Sequence, residues 1–283
     1  MSSLSQNQNK TQKKKKNSFL AANPVMRRLD SVDDFSDSNA ATYGGIAAKT
    51  AFFLLFCVAG ILLLFVTEKP LMFGDIVNFN VYKFPVTLYT GEIIALIASV
   101  ILGIVFQLLA FFAKATTPIT GALYCVTQGY FISFLVFKVL KGYEYLGALA
   151  LAITMVIILV MAILYTTGVI RVTQKFKMVM LTLFVTMIGS SLLILIGSFI
   201  PATQGLVAQI RNNLALSIAV GVIFIIIAAL FLICDFDTID HVVSNKLPKK
   251  YEWAAAFGLA FTVIWLYLKV LDLILKIVGN SKD

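Results

Sequence analysis

From about Gly45 onward the chain is a series of apolar runs, each about as long as the hydrocarbon core of a bilayer is thick. Nothing else in the sequence restricts its fold so severely. A core roughly 30 Å thick takes about 20 residues at 1.5 Å each. Seven such runs fit, at about 46–66, 89–113, 118–139, 145–167, 178–200, 213–235 and 253–278. They are expected to be helices, because backbone in lipid must satisfy its own hydrogen bonds and none of the runs alternates with period two. Composition agrees: 60% of the 283 residues are hydrophobic and 13% charged, with a mean hydropathy of +0.93. A water-soluble domain of this length could not present that surface without aggregating. The expected fold class is an all-α membrane protein, a seven-transmembrane helix bundle.

The net charge of +9 is concentrated in the first thirty residues, in Lys10, Lys13, Lys14, Lys15, Lys16, Arg27 and Arg28. The preferred reading is a topology signal that keeps the N-terminus cytoplasmic. Basic side chains close to an anionic leaflet also gain about 1 kcal/mol each. The charge therefore calls for no nucleic-acid partner. Residues 1–42 are polar and should form a disordered cytoplasmic tail, with the seven-span domain at 43–283. The first apolar run begins too late for a cleavable signal peptide. Cys57, Cys125 and Cys234 lie in separate runs without CxxC spacing, which argues against disulfides and zinc.

Two loops exceed a turn: 67–88, expected to cap the outer interface, and 236–252. In span five Gly189, Ser190, Ser191, Gly197 and Ser198 form a small-residue pattern that permits close helix approach. Charged groups in lipid cost about 2.5–3.5 kcal/mol each on insertion scales, so the few that occur are functional candidates. These are Asp235 and Asp237 at the end of span six, Lys269 and Asp272 in span seven, and Glu92 at the mouth of span two.

Asp237, Asp240 and His241 share a helical face, as do Lys269 and Asp272. If spans six and seven form a hairpin symmetrical about residue 253, Asp237 and Lys269 meet at similar depth. Carboxylates in a partly dry site hold protons more tightly, and when ionised Asp235 and Asp237 offer hard oxygen ligands for calcium. The plainer alternatives are a charged helix end for Asp235, Asp237 and Asp240, a structural ion pair or snorkelling for Lys269, a solvated loop position for His241, and an interhelical hydrogen bond for Gln128. There is one histidine in the chain and no GxSxG, HExxH or Walker loop, so an enzyme is not expected, nor is any cofactor.

Several segments carry a resemblance: Asn23 to Leu29 (NPVMRRL), Thr42 to Gly45 with Lys49 and Thr50, Thr167 to Lys177 (TGVIRVTQKFK), Asp235 to Asp240 (DFDTID), and Trp265 to Leu268 (WLYL). Together, from about residue 20 to 279, they resemble the bacterial branch of the Bax-inhibitor-1/YccA family. The resemblance implies a bundle whose last helix is central and surrounded by six others. It also implies a monomer in the bacterial inner membrane acting as a pH-sensitive calcium leak channel, with calcium ions and protons as its ligands. The family's first sensor aspartate matches Asp237, and its second falls on Lys269, which would replace a shared proton by an Asp–Lys ion pair. Asp272, one turn on, could take the acidic role. The family's latch arginine has no counterpart in span two, and its acidic residue of span three is Gln128. Glu92, Asp240, Arg171 and Gln128 then stand as candidates for the ion path or latch. The resemblance also implies an alternative, a scaffold that modulates a membrane protease or a stress- or death-related partner.

Overall fold

The computed structural model describes residues 39–81, 84–113, 115–200, 205 and 213–280. The tail expected to be disordered, with its basic cluster, lies outside those residues up to position 38. Seven helices occur among the described residues. They are α1 (Tyr43–Leu71), α2 (Thr90–Phe112), α3 (Thr117–Phe134), α4 (Tyr145–Thr166), α5 (Gln174–Phe199), α6 (Leu214–Ser244) and α7 (Lys250–Asn280). A single π turn, Leu135–Val139, prolongs α3, and a hairpin of β1 (Ile76–Val81) and β2 (Phe84–Tyr89) joins α1 to α2.

Helix starts are written locally. The Thr42, Thr173 and Asn213 side chains accept the N–H groups of Gly45, Phe176 and Leu216 at 3.0, 3.1 and 3.0 Å, each satisfying an otherwise orphaned donor. At α2 the Glu92 carboxylate reaches back to accept the Tyr89 N–H at 2.9 Å. Among the described residues six helices, α1, α2, α3 with its π turn, α4, α6 and α7, are long and apolar enough to cross a membrane by length and composition. Large side chains such as Ile94, Ile97 and Ile101 on α2 are more than half exposed. That surface is tolerable only against lipid, and the chain is an all-α membrane bundle.

Chain direction alternates, so α1, α3, α5 and α7 begin at one end of the bundle, here the tail end, and finish at the other, the hairpin end. The last helix is central: α7 packs against α1, α2, α3, α4 and α6, and α5 packs against α6. On α7 the fully buried Phe257 meets Phe53, Phe111 and Tyr124 with ring centroids 5.6–5.7 Å apart, joining three other helices to it.

Close helix approach occurs at the α1–α3 crossing: a Cβ on Gly129 would lie 1.9 Å from the Cys57 carbonyl oxygen, and one on Gly60 2.1 Å from that of Val126. Of the small residues singled out in span five, Gly189 has nothing within 4 Å of such a Cβ, and the side chains of Ser191 and Ser198 lie outside the described residues. Three expectations are corrected. The loop 67–88 is largely structured, because α1 continues to Leu71 and the hairpin follows. In β2, Phe84, Val86 and Leu88 alternate inward with period two.

The loop 236–252 contracts to residues 245–249, because α6 continues to Ser244, and His241 is helical. Finally, residues 39–42 belong to the folded domain. Ala40 bridges Pro248, the Ala41 N–H donates to the Leu247 carbonyl at 2.7 Å and the Lys249 N–H to that of Asn39 at 2.9 Å. This short strap fastens the chain to the α6–α7 turn.

Candidate functional site

The short α6–α7 turn sets the depth at which the two helices compare. The Lys269 ammonium lies 5.0 Å from the centroid of the Phe224 ring, and Trp265 meets Phe231 at 5.9 Å. Both contacts centre the hairpin near residue 247, not 253. Asp237, thirteen residues beyond Phe224, therefore sits roughly 20 Å along the axis from Lys269 at 1.5 Å per residue. The two expected partners do not meet. Asp272 instead pairs with Lys276 at 2.7 Å, one turn further along its own helix.

Asp237 finds its cation on α5, where the Lys177 ammonium lies 2.7 Å from its carboxylate. Tyr165 of α4 interacts electrostatically with both Asp237 and Asp240. Asp240 accepts a hydrogen bond from the Tyr43 hydroxyl at the start of α1. Asp235 is two residues from Asp237 and so faces elsewhere. It is fully buried on the stripe of Ala228, Leu232, Ile239 and Val242, all in the main core. Asp235 and Asp237 thus do not converge on one ion, and among the described residues no three His, Cys, Asp or Glu side chains are grouped to hold a metal.

The tail end also contains a carboxylate that sequence reasoning passed over. Glu252, in the first turn of α7 and 2% exposed, accepts the Thr42 N–H at 2.8 Å and pairs with Lys49. A Cβ on Gly45 would fall within 2.6 Å of this carboxylate, so glycine there lets the acid close on the α1 N-terminus, where the helix dipole favours negative charge. Lys49 in addition lies 5.1 Å from the Trp253 ring. The sequence held a signal for this pairing in the Gly44-Gly45 step at the start of an apolar run, which marks close approach without saying to what.

At the hairpin end the π turn carries Lys138 between two acids, 2.6 Å from Glu68 on α1 and 2.8 Å from Glu92 on α2. Such turns often mark functional positions. Glu92, expected at the mouth of span two, is 7% exposed and is held by this lysine and by Tyr89. Lys138 lies one residue before the end of the apolar run 118–139, so its sequence position alone does not distinguish a buried lysine from one at the membrane surface. Of the remaining candidates, Arg171 is exposed between α4 and α5. Gln128 faces α2, where a Cβ on Gly103 would come within 2.8 Å of its amide nitrogen.

Compared with known proteins, the chain matches over residues 2–279 the family model described as Bax inhibitor 1 like. No curated protein and no solved structure matches it.

Proposed function

The chain belongs to the Bax inhibitor 1 like family, and from that membership we propose that it is a pH-modulated leak path for cations, calcium among them. The reading places it in the bacterial inner membrane as a monomer with its tail in the cytoplasm, and gives it no catalytic role. The observation that carries it is the ion pair between Lys177 and Asp237, which ties α5 to α6 two residues from the fully buried Asp235.

A carboxylate and an ammonium attract only while both are charged. Loss of either charge removes the attraction and leaves apolar packing, such as Met180 of α5 against Ile227, Phe231 and Cys234 of α6, to hold the two helices together. Asp235 lies where an ionised oxygen is poorly solvated, so a proton or a passing cation there changes how α6 sits against its neighbours. Asp240, Tyr43 and Tyr165 belong to the same electrostatic neighbourhood. Lys269 and Asp272 lie at another level and take no part in this latch.

The test is calcium flux in liposomes containing the purified full chain, measured from pH 5 to pH 8. Flux is expected to rise on acidification, and Asp237→Asn or Lys177→Met should hold it high at all pH values. Absence of calcium movement in folded protein overturns the leak reading. A folded Asp237→Asn variant that keeps its cellular role without any flux favours the scaffold that modulates a membrane protease.

A further inference from the structure

Between α1, α3, α4 and α7, in the half of the bundle towards the hairpin end, the helices diverge and leave a groove of about 350 Å³. Its floor includes Cys57, Ser133, Thr154 and Tyr267, all buried. On one side α4 contributes the small residues Gly147 and Ala148, which put little side chain into the groove, and on the other the π turn of α3 contributes Val136 and Phe137 to its wall.

No charged residue lines the groove. The hydroxyls within it are turned back on the backbone: Ser133 donates to the Tyr130 carbonyl at 2.8 Å, Thr154 to that of Ala150 at 2.7 Å, and Tyr267 to that of Gly147 at 3.4 Å. These donors are engaged, so a polar ligand gains little here. At the rim Val58, Leu151 and Met155 are 50–54% exposed and belong to the surface that faces lipid. The groove is therefore continuous with the bilayer-facing surface of the bundle, and the medium at its mouth is hydrocarbon. We propose that it is a lipid site, holding one acyl chain of a bilayer phospholipid between the four helices.

The proposal is tested with the full chain in phosphatidylcholine vesicles containing a phospholipid that carries a photoactivatable diazirine on its acyl chain. After illumination, adducts are mapped on peptides. Labelling of residues 54–61 and 148–155 should exceed several-fold that of the equally exposed face of α2 around Ile94, Ile97 and Ile101. Two substitutions that fill the mouth, Ala148→Phe and Leu151→Trp, should each abolish the excess, so that failure of one to fold leaves the other to decide. Even labelling across the lipid-facing surface overturns the proposal, and so does an excess that survives in a folded filled variant. Cross-links between two chains at these peptides would make the groove a contact between copies and overturn it equally.

Discussion

The two ends of the bundle are both fastened by ion pairs, but they fasten different things. At the hairpin end Lys138 draws together α1, α2 and α3, which follow one another in the chain. At the tail end Glu252 and Asp240 join the beginning of α1 to the last two helices, across about 200 residues of sequence. The hairpin end thus holds a local unit. The tail end closes the whole bundle, and a change of protonation there is felt by the first, sixth and seventh helices together.

The largest effect is expected from breaking that closure. Glu252→Ala leaves Lys49 and the Thr42 N–H without their acceptor and should cost about 3–5 kcal/mol, the range for a buried pair broken on one side. Thermal unfolding in detergent measures it, with hydrogen exchange rising at residues 39–42 and 245–249. Equal exchange in variant and parent would show that the strap holds without the acid.

Lys138→Met should cost about 1–3 kcal/mol by leaving the buried Glu92 without its cation. Its exchange changes should stay within Ile76–Tyr89 and the adjoining ends of α1 and α2, and their spread to the strap would break the contrast between the ends. Tyr43→Phe removes one hydrogen bond to Asp240 and should cost about 0.5–1.5 kcal/mol, read from the same melting curves. The smallest effect concerns the position that sequence comparison singled out. Lys269→Asp should leave the pH profile of calcium flux unchanged, because Lys269 sits against Phe224 far from Asp237. A steeper profile in that variant would mean that the two helices slide in register.

Helix number, order and approximate limits were legible because a membrane span is a local property. Each run either reaches across the hydrocarbon or does not, whatever lies beside it. The family segments were legible for the same reason, as short strings of residues. The seven expected runs correspond to the seven helices of the described residues, with the main error at the end of α6, where a polar stretch was read as loop although its residues continue the helix. The expected partnership of Asp237 and Lys269 rested on a hairpin centred at residue 253, whereas the turn at 245–249 centres it near 247.

What the sequence by itself determined is therefore a central last helix by family likeness, a bundle of apolar helices by length and hydropathy, and a short set of charged groups worth examining. Tertiary structure alone decided which of those groups meet. Glu252 reaches the start of α1, Lys177 reaches Asp237, and Lys138 stands between Glu68 and Glu92, because turn length and the glycine-permitted crossing of α1 and α3 fix axial register and neighbour choice. A direct ion pair needs its charged atoms within about 4 Å. A shift of one helical turn, about 5.4 Å, is invisible in a hydropathy pattern, yet it is enough to exchange one partner for another.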